Sequence, residues 1–466
     1  MCRGGRPPKY RHIFGKLAYY TPSRTHAQLQ DAQVGLDRIT GYYGGNGPVK
    51  RISMAELAST FEDGEVVFLA GSCGEPIELS TLLADPAARV ADAHFVTTFV
   101  PGINGRCLAR PGRRSRLTVF FMQPSLGAAA SEGRVDFKPL SYSAIQRHLS
   151  DPATRIDTVV VQMAPPDPAG RCSLGPAVEF MPTVIARAAR VIGILNPRVA
   201  ALPGSVTLPI ESFDCVAHSN APLATYDAGR SAQAAGALAS HVARLIPDGA
   251  TVQTGLGKLP SQLLHALGGH RRLRLHTGMI SDAVLHLAQS GALSEESPIM
   301  TCVAVGGADF YGRLSGLPGL AFAEVAHTHA AQTLAGLASF HAVNSAVEVD
   351  LFGRVNAESI DGRRVSGPGG LPDFAHAASQ NSDGLSIIAL PATDGSGTVS
   401  RIVPRFHADT PITVPGQDVD AVVTEFGAAM LRGQPPEERA RRLCEVAHPD
   451  HRAKLREAAR IPPESP

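Results

Sequence analysis

Two stretches of this chain share one design, and that shared design constrains the fold more than any other feature of the sequence. The first is VVFLAGSCGEPIELSTLL (66–83) and the second is ATVQTGLGKLPSQLLHAL (250–267). In each, an apolar run typical of a buried strand meets a glycine, a proline follows five residues later, and apolar residues then recur at helical spacing. A further strand pattern downstream of each copy contains a histidine, His94 and His276. The repetition predicts two domains of related α/β topology.

Length and composition are consistent with two folded domains. The chain has 466 residues, more than one compact core usually holds. Hydrophobic residues make up 44% and charged residues 18%, which is typical of globular rather than disordered chains. Because 43 Lys and Arg nearly balance 42 Asp and Glu, we expect no nucleic-acid partner and no acidic membrane surface. No apolar run reaches the roughly 20 residues that a membrane helix needs.

The cysteines and histidines give no metal-binding pattern. The seven cysteines are scattered and form no CxxC pair, which argues against zinc or a disulfide framework and favours a cytoplasmic location. Histidines cluster at 327–329 and at 448–451 without matching acidic or cysteine partners. We therefore expect surface histidines at these places and no metal.

Strand and helix patterns alternate along most of the chain, as in an α/β fold with a largely parallel sheet. The pattern loosens at residues 203–225, where prolines and a glycine indicate a linker. We predict an N-terminal α/β domain over 51–222 and a C-terminal α/β domain over 223–466 that ends in charged helix. Residues 1–50 carry turn signals and a basic start, and we expect a poorly ordered extension there. The predicted fold class is α/β, with two related open domains and mostly parallel sheets.

The turn in the second copy, TGLGKLP, places Gly255 and Gly257 between a strand and a helix. A dinucleotide-binding fingerprint would need a third glycine, which Pro260 replaces, and an acidic residue after the next strand, which is absent. The motif is therefore weak evidence for nicotinamide binding. Glycines at a helix N-terminus can still bring backbone N–H groups to a phosphate or carbonyl oxygen, so we predict that both glycines bind substrate.

The segment SGPGGLPDF (366–374) is a second glycine loop, with Gly367, Gly369 and Gly370 around a proline. Glycines permit positive φ and a close approach of the backbone to a ligand. Two N–H groups of such a loop can form an oxyanion hole. A tight turn between strands is an equally good interpretation of the same residues.

Two strand ends carry polar residues. VVTEFG places Glu425 after an apolar strand, where it is either a buried acid with partners or a site residue, and the position favours a site. LRLHTGMISD (273–282) places His276 and Gly278 after another strand. No GxSxG motif occurs, so a Ser-His-Asp hydrolase is not indicated. We predict catalytic roles for Glu425 and His276.

The order of these motifs resembles that of the acetyl-CoA hydrolase/CoA-transferase family. Eight collinear motifs between about residue 55 and 458 carry the resemblance: APPDPAGRCSLG, TGLGKLP, LHTGMISD, NSAVEVDLFGRVNAESIDG, SGPGGLPDF, SRIVP, VVTEFG and RARRLCEVAHPDHR. The resemblance implies two related CoA-transferase-like domains and an enzyme that transfers CoA between acyl groups or hydrolyses the thioester. It also implies coenzyme A as a substrate, a small carboxylate as the second substrate, no metal, and a homodimer.

The resemblance further assigns residues to roles. Where Gly278 stands, the family usually carries a glutamate that attacks the thioester carbonyl and forms an acyl anhydride, then a glutamyl-CoA thioester. Glycine cannot perform this step. His329 stands near a position where the family tends to carry asparagine. Gly369 and Gly370 match the oxyanion and CoA-contacting loop, and Glu425 matches a family site glutamate.

Three hypotheses follow. Water held against Glu425 or His276 would still cleave an acyl-CoA while the glycine loops stabilise the oxyanion. Alternatively, the chain would bind an acyl-CoA without turnover, as a sensor or a partner subunit. In the third hypothesis, Gly278 frees the volume of a carboxylate side chain for a larger acyl group. A CoA-transferase or acetyl-CoA hydrolase is the best single prediction, with its site between the domains and the adenine nucleotide on the second domain.

Overall fold

The computed structural model describes residues 49–110, 113–229 and 233–460. Of the extension predicted over residues 1–50, residues 1–48 lie outside the described residues, whereas Lys50 belongs to a strand. The described chain is organised around two large sheets, one in each of the predicted domains.

Ten strands of the N-terminal domain form its main sheet and one small antiparallel pair. They are β1 (Lys50–Arg51), β2 (Val66–Leu69), β3 (His94–Thr97), β4 (Arg116–Val119), β5 (Val135–Phe137), β6 (Thr158–Met163), β7 (Arg171–Ser173), β8 (Arg190–Leu195), β9 (Thr207–Pro209) and β10 (Cys215–His218). The main sheet has the order β1-β10-β8-β6-β2-β3-β4-β5, and its pairings are parallel. The two remaining strands, β7 and β9, pair antiparallel.

This sheet is covered on both faces. Val66 and Phe68 of β2 pack in one hydrophobic cluster, while Val67 and Leu69 pack in another. Successive side chains of a strand point to opposite faces, so two clusters mean two covered faces, as parallel sheets require. The covering helices of this domain are Met54–Ser59, Ile77–Ala84, Gly127–Ser131, Tyr142–Ser150 and Met181–Arg187.

The C-terminal domain has a main sheet of six strands and several short pairs. Its strands are β11 (Thr251–Thr254), β12 (Arg274–Leu275), β13 (Met279–Ile280), β14 (Ile299–Thr301), β15 (Val303–Ala304), β16 (Leu320–Phe322), β17 (Phe340–Ser345), β18 (Glu348–Asp350), β19 (Val355–Asn356), β20 (Ser359–Ile360), β21 (Arg363–Arg364), β22 (Leu385–Ala389), β23 (Ile402–Val403), β24 (Ala421–Thr424) and β25 (Gly427–Met430). The main order is β12-β11-β17-β22-β24-β25, parallel except for the last pair. The predicted α/β class with mostly parallel sheets is confirmed.

Four helices of this domain, Gln233–Ala243, Lys258–Ala266, Leu371–Ser379 and Pro436–Val446, pack against its main sheet, and the others pack on further elements. The helices of the domain are, in chain order, Gln233–Ala243, Lys258–Ala266, Ala283–Gln289, Ala308–Arg313, Val325–Thr328, Ala331–Ala335, Leu371–Ser379, Pro436–Val446 and Pro449–Ala459. The helix Pro436–Val446 carries Glu437 and Glu438 in its first turn, where acidic side chains complement the helix dipole.

Both copies of the repeated design fold as strand, turn and helix. In the first, β2 leads through Gly71 to the helix Ile77–Ala84, and in the second β11 leads through Gly255 to the helix Lys258–Ala266. The likeness extends to the next strand, because β2 pairs in parallel with β3 and β11 pairs in parallel with β12.

The prediction of a linker over residues 203–225 was wrong for most of that stretch. It contains β9 and β10, and β10 lies between β1 and β8 in the main sheet of the N-terminal domain. The sequence signal was weak because Cys215–His218 is short and is flanked by turn residues. Within the described ranges, no helix combines the length and apolarity needed to span a bilayer.

Candidate active site

Gly278 is held rigidly just beyond the end of β12. Its carbonyl oxygen accepts hydrogen bonds from the amides of Cys302 and Val303 at 3.2 Å each and from the Thr301 hydroxyl at 3.1 Å. The Cys302 thiol points to the same oxygen at 2.9 Å. Four donors on one carbonyl fix the backbone of this strand end, so the space in front of its Cα is well defined.

That space is occupied by a histidine. A Cβ built on Gly278 would lie 3.1 Å from both Cε1 and Nε2 of His329 and 3.7 Å from the ring of Phe374. A Cβ built on Gly370 would lie 2.7 Å from the same Nε2. The prediction that Gly278 frees volume for a larger acyl group is therefore not met in this structure, because His329 and Phe374 fill the volume.

His329 is buried, contrary to the expectation of surface histidines at 327–329. Its side chain is 2% exposed, and its ring lies 4.9 Å from the ring of Tyr142 and 4.5 Å from that of Phe374. The sequence could not reveal this, because Tyr142 and Phe374 come from opposite domains. The resemblance singled out Gly278 and His329 as the two departures from the family pattern, and these two residues face each other.

The hydrogen bonds of His329 indicate which ring nitrogen carries the proton. Nδ1 lies 2.9 Å from the Thr328 hydroxyl, which itself donates to the carbonyl of Glu324 at 3.3 Å. A hydroxyl that donates there accepts from its other neighbour, so we assign the proton to Nδ1. Nε2 has no partner within the described residues. Burial, aided by nearby His276, lowers the pKa of His329 to about 3, so the ring is neutral.

His276 is oriented differently. Its Nε2 lies 2.8 Å from the carbonyl oxygen of Thr328, an acceptor only, so Nε2 carries the proton. The side chain is 5% exposed, and burial lowers its pKa to about 4. His276 is thus a neutral ring whose donor is already used by the backbone.

The glycine loop 366–370 packs against the N-terminal domain. A Cβ on Gly367 would lie 2.0 Å from the carbonyl oxygen of Phe120, so only glycine fits there. Gly369 has a φ of 58°, and its carbonyl accepts the amide of Tyr142 at 3.0 Å. Gly370 is the N-cap residue of the helix Leu371–Ser379, whose first amides have no intrahelical partner.

A carboxylate fastens this loop to the other domain. Asp373 accepts hydrogen bonds from the Ser141 hydroxyl at 3.0 Å, the Ser143 amide at 2.9 Å and the Ser143 hydroxyl at 2.6 Å. We call the contact of residues 366–373 with residues 120–121 and 141–143 the interdomain interface. Gly278 and His329 lie directly beneath it, because Gly370 and Tyr142 contact the His329 ring.

The other predicted site residues lie along the carboxyl edge of the C-terminal sheet. Gly255 and Gly257 are half-buried after β11, and Gly257, with a φ of 134°, is the N-cap of the helix Lys258–Ala266. Glu425 follows β24 and accepts the amide of Ala392 at 2.9 Å. Since β24 is four strand positions from β12, about 19 Å separates the two at the usual spacing. No contact joins Glu425 to Gly278, His276 or His329 in the described residues.

Sequence reasoning missed a buried carboxyl group on the N-terminal side. Glu179 is 2% exposed and has a φ of 37°, unusual for a residue with a side chain. Its Oε1 accepts from the Ser72 hydroxyl at 3.2 Å, and its Oε2 has no hydrogen-bond partner among the described residues. Burial raises its pKa to about 7. The sequence shows only one acidic residue inside the apolar run AVEFM. The same pattern is typical of an ordinary buried acid without a functional role.

Comparison with known families decides the class of protein. The model of the acetyl-CoA hydrolase/transferase N-terminal domain matches residues 47–225, and that of the C-terminal domain matches residues 306–459. This chain belongs to the acetyl-CoA hydrolase/transferase family. The stretch 226–305, which contains Gly255, Gly257, His276 and Gly278, lies between the two matches.

Relatives of this acetyl-CoA hydrolase/transferase family member include CoA-transferases and acetyl-CoA hydrolases. The 4-hydroxybutyrate coenzyme A transferase of Clostridium kluyveri is 28% identical over 87% of this chain and 96% of its own length. The succinyl-CoA:acetate/propanoyl-CoA:succinate CoA transferase of Fasciola hepatica is 30% identical over 74% of each chain. An acetyl-CoA hydrolase of Saccharomyces cerevisiae is 30% identical over 44% of this chain and 39% of its own length. The prediction of a CoA-transferase or acyl-CoA hydrolase is confirmed at this level.

Solved structures agree with the fold. The crystal structure of RipA from Yersinia pestis superimposes with a TM-score of 0.82 at 27% identity, over 92% of this chain and 99% of RipA. A 4-hydroxybutyrate CoA-transferase from Porphyromonas gingivalis has the same fold, with a TM-score of 0.72 at 24% identity over 88% of this chain and 97% of its own. Across residues 49–110, 113–229 and 233–460, no group of three or more His, Cys, Asp or Glu side chains is placed to hold a metal ion.

Proposed function

We propose that this family member hydrolyses an acyl-CoA thioester at the interdomain interface, beside Gly278. The observation that carries the proposal is the pairing of Gly278 with His329: a residue without a side chain faces a buried imidazole whose Nε2 has no partner. A carboxylate nucleophile at position 278 would carry CoA through a covalent intermediate to a second acid. With no side chain at that position, water is the acceptor that the site favours.

The glycine loops supply the binding contacts of this proposal. Gly370 lies beside the His329 ring and Gly369 beside Phe121, and the amides of these two residues would stabilise the oxyanion of the attacked thioester. Gly255 and Gly257, at the start of the helix Lys258–Ala266, would receive the phosphates of coenzyme A on the C-terminal domain. Coenzyme A is a substrate here, and no metal takes part in the proposed reaction.

Transfer of CoA to a small carboxylate is the second candidate function. It is favoured by the relatives from Clostridium kluyveri and Fasciola hepatica, whose names describe CoA transfer. Glu425, which ends β24 at the same sheet edge as Gly255, would contact substrate in either reaction. A homodimer is carried over from the family resemblance, and a cytoplasmic location from the scattered cysteines, as parts of this proposal; sedimentation of the purified protein tests the dimer.

One assay separates the functions. Purified protein is incubated with acetyl-CoA, with and without propionate or succinate, while free thiol and new acyl-CoA are measured. Hydrolysis predicts thiol release that does not depend on the acceptor. Acceptor-dependent formation of a new acyl-CoA without net thiol release would instead establish transfer. Thermal stabilisation by CoA with neither product would identify a binding protein and end the hydrolase proposal.

A pair of variants tests the role of position 278. Gly278→Glu alone must displace His329, since even its Cβ would lie 3.1 Å from that ring. Gly278→Glu combined with His329→Asn removes the obstruction and restores the residue pair that the family usually carries. We expect acceptor-dependent CoA transfer to rise in the double variant and not in the single one. A folded double variant without transfer would show that the site differs from transferases elsewhere as well.

A further inference from the structure

We propose that His329 is the catalytic base of this site, and that its Nε2 takes the proton from the water that attacks the thioester carbonyl. This inference rests on the proposed hydrolysis and assigns its central proton transfer to one atom. By the resemblance, the residue stands near a position where the family tends to carry asparagine, a side chain that cannot accept a proton at neutral pH. The assignment therefore gives this chain a chemistry that the family pattern does not supply.

The first support is an unpartnered atom in a closed place. The His329 side chain is 2% exposed, yet Nε2 makes no hydrogen bond to any described residue. Leaving a buried polar atom without a partner costs roughly 1–3 kcal/mol, and such atoms are rare in folded proteins. A Cβ on Gly278 or Gly370 would lie 3.1 or 2.7 Å from Nε2, so the backbones of both glycines pack against this atom and a ligand reaches it only when the loop at Gly370 moves. A polar ligand at that atom would remove the cost.

The second support is the orientation of the imidazole. The Thr328 hydroxyl accepts a hydrogen bond from the Nδ1–H group at 2.9 Å. The same hydroxyl donates to the Glu324 carbonyl at 3.3 Å, which fixes its orientation. The lone pair of Nε2 therefore points away from Thr328 and toward Gly278 and Gly370. A neutral imidazole whose far nitrogen is held by an acceptor and whose near nitrogen is bare has the orientation for accepting a proton. Burial makes the closed ring a weak base, with a pKa of about 3, so the proposed step belongs to the opened interface, where water reaches Nε2.

The neighbouring titratable groups are less suited to this role. His276 uses Nε2 as a donor to the Thr328 carbonyl. Glu425 lies four strands away in the sheet order. Glu179 is held through Oε1 by the Ser72 hydroxyl on the N-terminal side. Among these groups, only the His329 Nε2 is directed at the position in front of Gly278.

The step is balanced without any further reactant. The water oxygen bonds to the thioester carbonyl carbon while its proton moves to Nε2, giving an imidazolium and a tetrahedral oxyanion near the glycine loop. Collapse of the oxyanion breaks the carbon–sulfur bond, and the electron pair leaves on sulfur. The proton then passes from Nε2 to the thiolate. The products are a carboxylic acid and CoA thiol, and His329 returns to its neutral form.

Access to His329 requires the interdomain interface to open. Three hydrogen bonds from Ser141 and Ser143 to Asp373, together with the bond from the Tyr142 amide to the Gly369 carbonyl, close the loop over the ring. A thioester can reach Nε2 only when residues 366–373 move away from the N-terminal domain. Closure behind the substrate would then exclude bulk water from the reacting atoms.

The test uses two variants, each of which keeps a polar group near the position of one of the two ring nitrogens. His329→Asn places an amide nitrogen near the Nδ1 position, so the bond to Thr328 can persist while the base is lost. His329→Gln places an amide near the Nε2 position, which preserves polarity there without a proton acceptor of useful strength. We expect both variants to fold and to bind CoA as the wild type does, measured by thermal shift. Thiol release from acetyl-CoA should fall about 10²–10⁴-fold in kcat, with little change in KM.

Chemical rescue separates catalysis from packing. His329→Ala leaves a ring-sized space between Tyr142 and Phe374, and added imidazole should restore part of the lost rate in a saturable manner. Thr328→Val removes the acceptor that orients Nδ1 and should lower kcat by a smaller factor that imidazole does not restore. Thr328 is a positioning residue in this scheme.

The outcomes are distinguishable from failure of the proposed function. Wild-type protein that releases no thiol from any acyl-CoA overturns the hydrolase itself. Active wild type together with fully active His329→Asn and His329→Gln overturns the role of His329 and leaves hydrolysis standing. Loss of rate in every variant without any rescue of His329→Ala by imidazole would assign His329 to packing, and it would also reject the base.

Discussion

The two copies of the strand–glycine–helix design differ most in what surrounds their turns. In the N-terminal copy, residues 71–76 are buried, whereas in the C-terminal copy Gly255, Leu256 and Gly257 are half-buried and Lys258 is exposed. The same local pattern therefore serves once inside the protein and once at its surface. We call the first the inner turn and the second the outer turn.

The inner turn has its polar groups paired within the protein. The Gly71 amide donates to the Thr98 hydroxyl at 2.9 Å, and the Ser72 amide donates to the Asn104 side chain at 2.8 Å. Asn104 in turn donates to Glu75 at 2.8 Å, and Arg106 contacts the same carboxylate at 3.1 Å. A turn whose Gly71 and Ser72 amides are used by protein atoms stabilises the fold and has little left for a ligand.

No such partners are found for the amides of the outer turn in the part of the chain that the structure describes. A Cβ on Gly255 would meet nothing within 4 Å, and one on Gly257 would meet only the ring of Pro260 at 3.5 Å. The backbone of this turn therefore remains accessible at the N-terminus of a helix, where N–H groups suit an anion. The comparison teaches that a repeated motif predicts topology, while burial decides which copy is available for binding.

Alanine at the two equivalent glycines tests this contrast most strongly. A Cβ at Gly71 would lie 1.9 Å from the carbonyl oxygen of Thr98, so Gly71→Ala must displace a strand end. We expect a loss of more than about 4 kcal/mol in the free energy of unfolding, or failure to fold. Gly255→Ala should change it by less than about 0.5 kcal/mol. Urea unfolding of both variants measures the difference, and similar losses would refute the contrast.

The strand pattern, the repeat and the collinear motifs were enough to predict the α/β class and the family. They place Gly278, His276 and the glycine loop near strand ends, because that information is local in the sequence. The contact of His329 with Gly278, Tyr142 and Phe374 was not predictable, since it depends on how loops from two domains close over one strand end.

The same limit applies to Glu179 and Glu425. Nothing in the sequence distinguishes an acid that ends up beside Ser72 at a φ of 37° from an ordinary satisfied acid. Strand-end position suggested Glu425 as a site residue, but sheet order, which sets its distance from β12, is a property of the whole fold. Local signals thus identify strand ends, and only the assembled sheet shows which of them meet.

Glu179 provides a second test of the inner turn, because it contacts that turn through Ser72. Its pKa in the folded protein is about 7, against an ordinary value of 4.5. A raised carboxyl pKa destabilises the folded state above pH 4.5, and the penalty grows until about pH 7 and then stays constant. Glu179→Gln keeps an acceptor for Ser72 and removes the charge. We expect this variant to gain stability over wild type, by up to an order of 3 kcal/mol at pH 7.5 and by little at pH 4.5.

The groups that face Glu179 do not alter the sign of this prediction. They are Cys73, Tyr142 and Cys302, and burial raises the pKa of each, so all three are neutral at pH 7.5. Thermal unfolding between pH 4.5 and 8 provides the measurement, with the exposed Glu62→Gln as a control that should show no such trend. A Glu179→Gln variant less stable than wild type at every pH would mean that the carboxylate stabilises the inner turn.

Lys258 gives the smallest effect and tests the outer turn alone. It is exposed at the start of the helix Lys258–Ala266 and forms no ion pair within the described residues. If CoA phosphates bind at this helix end, Lys258→Ala should weaken CoA binding by about 1 kcal/mol, roughly a factor of five, without changing the free energy of unfolding. Calorimetric titration with CoA at low and high salt checks this, because a phosphate contact at the surface weakens with ionic strength. Lys258→Arg should retain the affinity. Unchanged binding in Lys258→Ala at both salt concentrations would mean that this lysine does not contact the phosphates, and the glycine amides alone would then have to account for any nucleotide bound at the outer turn.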